Sequence, residues 1–164
     1  MTITQVGFGL GSNIGAAPRN VETALALLEE RGVARLAARS RIYRTPPWGV
    51  LDQGDFANAC AIGETTLSPY ELLAAVKKIE ADMGRAPTRR WGPRLIDVDI
   101  LFYGETSIDD PELTIPHKEL FARGFVLAPL AEIAPDLILD GVAVKDAAGR
   151  ADLSGVRLWN EALQ

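Results

Sequence analysis

Residues 56–66, FANACAIGETT, alternate in side-chain size as far as Thr65. By the period of two of a strand, Phe56, Asn58, Cys60 and Ile62 share one face. Ala57, Ala59 and Ala61 share the other, and they are small enough for a helix to pack closely on them. A helix start follows at once. Ser68-Pro69-Tyr70-Glu71 supplies a capping serine, a proline at the first helical position and a glutamate three residues after the serine. Leu72, Val76, Ile79 and Met83 then mark one helical face, and Gly84 can end it. An earlier strand–helix unit precedes this one. Residues 3–10 (ITQVGFGL) read as a strand closed by a turn at Gly11-Ser12-Asn13, and residues 18–31 put Val21, Ala24, Leu25 and Leu28 on one face before Gly32. Residues 33–44 read as one long strand, after which Pro46-Pro47 forces extended backbone. Residues 95–103 (LIDVDILFY) read as a further strand. The order β-α-β-β-α-β predicts an α+β chain, a ferredoxin-like α/β/α sandwich with an antiparallel sheet. Beyond it, residues 104–140 are turn-rich with short helices near 118–122 and 125–132, and Val156, Leu158 and Trp159 hint at a last packed element.

The length, 164 residues, fits a single domain over 1–164 with a core that needs no disulfide. A net charge of −5 disfavours broad binding to nucleic acid or to an anionic membrane, so an anion held here needs a local basic patch. One cysteine, Cys60, forbids an internal disulfide and suits a reducing cytosol. The first residues lack a basic region followed by an apolar run, and no apolar stretch nears the ~20 residues of a membrane helix. A cytoplasmic protein is expected.

Asp97 and Asp99 are the first candidates for chemistry. On a strand they point the same way, roughly 7 Å apart, while Ile96, Val98 and Ile100 face the core. Hard carboxylate oxygens in this arrangement suit Mg²⁺ that also holds substrate phosphates. An exposed strand with alternating polar residues is the other reading, and D-x-D alone is a weak motif. The loop before it carries Arg85, Arg89, Arg90 and Arg94 beside Trp91 and two prolines. Guanidinium forks suit phosphate oxygens, and such a loop can close over a polyphosphate. Taken alone it is also an ordinary solvated basic loop; next to the aspartates the phosphate-and-metal reading is favoured. His117 is the single histidine, a possible donor to phosphate or an acid or base. A lone surface histidine is usually neither, and Phe56 and Phe125, taken singly, read as core.

In this order Gly11-Ser12-Asn13, Tyr43-Arg44-Thr45-Pro46-Pro47, Phe56 to Asn58, Arg90-Trp91-Gly92-Pro93-Arg94, Asp97-Val98-Asp99, Pro116-His117 and Arg123-Gly124-Phe125 resemble the pterin pyrophosphokinase family, over roughly residues 6 to 140. The resemblance implies a ferredoxin-like α/β/α sandwich. It also implies transfer of a diphosphate from MgATP to the hydroxymethyl group of 6-hydroxymethyl-7,8-dihydropterin, a step of tetrahydrofolate biosynthesis that leaves AMP. It implies a pterin ring stacked between Phe56 and Phe125, its edge read by Asn58 and by backbone groups of Thr45, Pro46 and Trp48. Asp97 and Asp99 match a pair that holds two Mg²⁺ ions, and Arg85 and Arg94 match arginines that handle phosphate. Trp91 and His117 line the ATP side, and Glu80, Arg90, Ile100 and Arg123 align with nucleotide-side positions. The substrates, ATP and the pterin, are then the only partners expected of a monomer. Phe56 stands where the family often has tyrosine, Pro87 where it has an arginine two residues after Arg85, and Lys118 where a tyrosine is frequent. Two rivals stay open: a non-catalytic ferredoxin-like ligand-binding or regulatory domain, and a Mg-dependent kinase that transfers only the γ-phosphate.

Overall fold

The computed structural model describes residues 2–46, 54–84 and 95–159. Strand β1 (Thr4–Ser12) carries Val6, Phe8 and Leu10 on one face and Gly7, Gly9 and Gly11 on the other, so one face fills a core and the other carries no side chain of its own. Helix α1 (Ala17–Glu30) buries Val21, Ala24, Leu25 and Leu28, the face expected from their spacing. Gly32 then reverses the chain with φ +68°, a conformation costly to any residue with a Cβ.

The single strand expected over 33–44 is two, β2 (Arg35–Arg39) and β3 (Tyr43–Thr45). Both pair antiparallel with β4 (Phe56–Thr65). Between the Arg39–Ala61 and Tyr43–Asn58 pairs, Ser40, Arg41 and Ile42 stand opposite only Ala59 and Cys60, so one residue bulges out. The buried Ser40 closes the bulge. Its hydroxyl accepts the Cys60 N–H at 2.9 Å and donates to the Arg41 carbonyl at 2.7 Å.

Helix α2 (Pro69–Met83) opens as its sequence requires: Ser68 Oγ accepts the Glu71 N–H, and Glu71 Oε1 accepts the Ser68 N–H at 2.8 Å. Ser68→Ala removes one half of this reciprocal cap. It should lower stability by about 1 kcal/mol in urea denaturation without altering turnover, because the cap is remote from the candidate site. Strand β5 (Asp97–Tyr103) follows. The chain then runs through a hairpin of β6 (Ile108–Asp109) and β7 (Thr114–Ile115), a 3₁₀ turn at Leu120–Ala122 and helix α3 (Gly124–Ile133). A second hairpin of β8 (Ile138–Leu139) and β9 (Val142–Ala143), helix α4 (Val144–Arg150) and strand β10 (Arg157–Leu158) complete it. The 3₁₀ turn and α3 are the two short helices expected there.

The main sheet runs β10-β3-β4-β1-β5, with β2 also on β4, and the pairs are antiparallel. Two cores lie on its two faces. Val6, Phe8, Leu10, Ala57, Ala59, Ala61, Val98 and Ile100 pack with the apolar faces of α1 and α2. Cys60, Leu101 and Phe102 pack on the other side with Leu120, Val126, Leu127, Leu130, Val144 and Ala147. Consecutive Leu101 and Phe102 reach the same core because β5 bulges between its pairings Phe8–Ile100 and Gly7–Phe102. Phe102 lies directly over Gly7, where a Cβ would sit 2.2 Å from the ring. This is a mixed fold of helices on an antiparallel sheet. Among the described residues, no helix is long and apolar enough to cross a membrane.

Candidate active site

Strand β1 runs between β4 and β5, and its register brings distant residues into rows. Gly11 pairs with Asn58 on one side and Asp97 on the other; Gly9 pairs with Cys60 and Asp99. Asn58, Gly11 and Asp97 alternate away from the buried Ala57, Leu10 and Val98, so they share one face of the sheet. Gly11 is the bare floor of the row. A Cβ there would meet Asn58 Oδ1 at 3.0 Å and Phe56 Cδ1 at 3.9 Å. The expectation of a turn at Gly11-Ser12 is corrected: β1 stays paired through Ser12–Ala57, and Gly11 is needed for space rather than for turning. Ser12 is buried and accepts a hydrogen bond from Asn20 Nδ2 at 3.1 Å, so the chain bends only after it.

Asn58 is buried, and its Nδ2 donates to Thr45 Oγ1 at 2.8 Å. Thr45 is itself buried and pairs with Phe56, while Pro46 next to it is exposed. Thr45, Pro46, Phe56 and Asn58 thus form one cluster at the ends of two paired strands.

A second cluster gathers around Asp99. His117 Nε2 lies 3.9 Å from Asp99 Oδ2, and Arg123 Nη1 lies 4.0 Å from the same oxygen. His117 is fixed by its own backbone, which donates to the Leu101 carbonyl at 2.9 Å, and its Nδ1 accepts the Glu119 N–H at 3.2 Å. With Nδ1 an acceptor, the proton of the neutral ring belongs on Nε2, the atom that faces Asp99. Burial pushes the imidazole's pKa below its ordinary value, opposed by the Asp99 carboxylate and assisted by Arg123. His117 is therefore a neutral donor at pH 7. Arg123 is also paired with Glu119, and its guanidinium lies 5.5 Å from the centre of the Phe125 ring. Phe125 is half-buried on the first turn of α3, beside the second core.

Two expected nucleotide-side residues have other partners. Glu80 Oε2 accepts the Val98 N–H at 2.7 Å and Oε1 lies 3.2 Å from Lys77 Nζ, so this α2 carboxylate pins the strand between the two aspartates. The Ile100 side chain is 4% exposed and lies in the core with α1 and α2, on the face opposite Asp99. Period-two alternation takes the Ile100 side chain inward, as expected from the sequence, so what Ile100 can offer toward the nucleotide side is its backbone. Trp48, Arg85, Pro87, Arg89, Arg90, Trp91 and Arg94 lie outside the described residues. An open groove of about 330 Å³ extends from His117 along Thr114, Ile115, Lys118, Ser107 and Phe121. Sequence reasoning left three supports of these clusters unread: the Gly11 floor, the Asn58–Thr45 bond and Glu119. The floor had a signal, the strict alternation of glycine with Val6, Phe8 and Leu10.

Among the described residues no group of three or more His, Cys, Asp or Glu side chains is set to hold a metal ion. Asp97 and Asp99 offer carboxylate oxygens, both half-buried on one strand face. That donor set fits Mg²⁺, which takes one or two carboxylates and completes its shell with water and phosphate.

The family model described as 7,8-dihydro-6-hydroxymethylpterin-pyrophosphokinase (HPPK) matches residues 7–135. The 2-amino-4-hydroxy-6-hydroxymethyldihydropteridine pyrophosphokinase of Methylorubrum extorquens is 46% identical over 154 residues, 94% of this chain and 98% of that protein. The protein of the same name from Pseudomonas aeruginosa is 41% identical over 155 residues, 94% of this chain and 96% of its own length. Among solved structures, Plasmodium falciparum HPPK-DHPS wild type with STZ-DHP superposes with a TM-score of 0.75 over 91% of this chain at 17% identity. This chain spans 43% of that one, and the likeness is one of fold.

Proposed function

The chain belongs to the 7,8-dihydro-6-hydroxymethylpterin-pyrophosphokinase family, and we propose that it transfers a diphosphate from MgATP to the hydroxymethyl group of 6-hydroxymethyl-7,8-dihydropterin, releasing AMP and the pterin diphosphate for folate biosynthesis. One observation carries this reading beyond the family: the row Asn58–Gly11–Asp97. With strands ~4.8 Å apart, an amide and a carboxylate stand roughly 10 Å from each other with a bare glycine between them. A flat bicyclic ring can lie across that gap, one edge at Asn58 and its substituent toward the aspartates.

Asn58 Oδ1 accepts from the ring's amino edge, its Nδ2 being held by Thr45. The backbones of Thr45, Pro46 and Trp48 complete that edge, and Phe56 and Phe125 sandwich the ring. Asp97 and Asp99 would hold Mg²⁺, two ions in this proposal, and the metal would supply positive charge against the triphosphate. His117 donates from Nε2 to a phosphate oxygen, and Arg123 stands ready beside it. The groove past His117 takes the nucleotide end. On the family resemblance Arg85, Arg90, Trp91 and Arg94 belong to the ATP side, with Arg85 and Arg94 stabilising charge on the transferred group. The hydroxymethyl oxygen attacks the β-phosphorus in line, AMP leaves, and the enzyme contributes position and fixed charge.

The β1-α1-β2/β3-β4-α2-β5 order, with β1 between β4 and β5, supports a ferredoxin-like α/β/α sandwich formed by 1–164 as one domain. We read the protein as a cytoplasmic monomer whose partners are its two substrates, on the family resemblance and the single cysteine. The test is direct: incubate the protein with MgATP and the pterin alcohol and follow products by mass. Pterin diphosphate with AMP is the expected pair. ADP would indicate γ-phosphate transfer, and no product with both ligands bound would indicate a binding domain.

A further inference from the structure

Residues 152–159 lie beyond the 7–135 matched by the family model, yet they touch the chain on several sides of the pterin end. At one side is the start of α3. A Cβ on Gly124 would fall 2.6 Å from the Asp152 carbonyl oxygen and 2.9 Å from Leu153 Cδ2, so the tail lies tight against the residue before Phe125. At another is Pro46: a Cβ on Gly155 would lie 3.1 Å from its Cδ and 3.3 Å from its Cγ. The four residues 152–155 are folded into a turn by Ser154 N–H to Asp152 Oδ1 and Val156 N–H to the Leu153 carbonyl, both 3.0 Å, so the bridge has its own shape.

The anchor lies just beyond. Arg157 pairs with Arg44 and Leu158 with Tyr43, and the Trp159 N–H donates to the Ile42 carbonyl at 2.9 Å. The Arg44 guanidinium stacks 4.0 Å from the centre of the Trp159 ring. Its Nε also lies 3.6 Å from Asp55 Oδ2, one residue before Phe56. Strand β3 is three residues long and ends at the Thr45-Pro46 edge. Its inner side is held by β4 and by the Asn58–Thr45 bond, and its outer side would be an open sheet edge without β10.

We propose that residues 152–159 are a positioning strap for the pterin end of the site, in which Trp159 under Arg44 anchors the turn that holds Pro46 against the first turn of α3. This rests on the function proposed above. The strap's contacts with Gly124, Pro46 and Arg44 all lie at the pterin end, so it acts on the pterin more than on the nucleotide.

Trp159→Ala should raise KM for the pterin about fivefold, the size of one cation–π contact at a partly exposed site. KM for ATP and kcat at saturating pterin should stay within twofold, and Trp159→Phe, which keeps a ring beneath Arg44, should recover most of the loss. Unchanged KM values, or pterin and ATP values rising together, would overturn the strap. Where Trp159→Ala melts too low to assay, Gly155→Ala carries the same test, since it crowds Pro46 while leaving Trp159 in place. The wild-type assay separates the two readings: no AMP and pterin diphosphate from the native protein refutes the function, whereas a native wild type with insensitive variants refutes the strap alone.

Discussion

Asp99→Ala will cut AMP formation by about a thousandfold, roughly 4 kcal/mol in the barrier, and leave the melting temperature within a few degrees of wild type. The fold survives because Asp99 contributes nothing to either core. It alternates outward from the buried Val98 and Ile100, and its cationic neighbour Arg123 keeps Glu119 as a partner. No buried charge is orphaned. His117 loses the carboxylate that opposes its burial, so its pKa falls further and it stays neutral at pH 7. The loss therefore belongs to the aspartate itself. Asp97→Ala should behave alike, and Asp99→Asn, which keeps shape but not charge, should remain as impaired as the alanine variant. A near-native rate at saturating Mg²⁺ for either alanine variant would remove Asp97 and Asp99 as the metal-holding pair.

Local pattern made most of this fold legible. The Ala57–Ala59–Ala61 face, the Val21–Leu28 helix face and the Ser68–Glu71 box each depend on residues close in sequence, and each forms as read. The failures are non-local. Nothing within residues 33–44 says that Ser40 will meet the Cys60 backbone and force a bulge; that bond joins residues twenty apart. The bulge at Leu101 has the same character. LIDVDILFY reads as an unbroken strand, yet Phe102 turns over Gly7 because β1 has no side chain there. The short hairpins β6–β7 and β8–β9 went unread because two-residue strands are too brief to show a period.

The site divides in the same way. Asp97 and Asp99 are legible because alternation alone turns them from the core, and the same rule assigns the Ile100 side chain inward. What a linear reading cannot supply is the pairing of Asn58 and Asp97 with one glycine, since register is a property of three strands together. Glu80 is a similar case. Its spacing on α2 suggests an exposed carboxylate, and only the packing of α2 against β5 brings it to the Val98 amide. A carboxylate that pins the strand at Val98 helps to set the spacing of Asp97 and Asp99 on either side of it.

Phe125→Ala should weaken pterin binding tenfold to a hundredfold and leave ATP binding nearly unchanged. The size follows from stacking an aromatic side chain on a base-like ring, worth about 1–3 kcal/mol. The selectivity follows from where the residue sits. Helix α3 meets the second core through Val126, Leu127 and Leu130, all buried, whereas Phe125 is only half-buried and precedes them on the first turn. Truncating it removes a wall of the site more than a strut of the core. Arg123, whose guanidinium lies 5.5 Å from the ring centre, keeps Glu119 as its partner and Asp99 nearby, so the phosphate side stays organised. Tight closure of Asp152 on Gly124 also holds the helix start in place when the ring is gone. Calorimetry with the pterin and with a non-hydrolysable MgATP analogue, each titrated separately, measures the two affinities. Equal losses for both ligands, accompanied by a lowered melting temperature, would mean that Phe125 serves the core of α3 and that the pterin ring lies elsewhere.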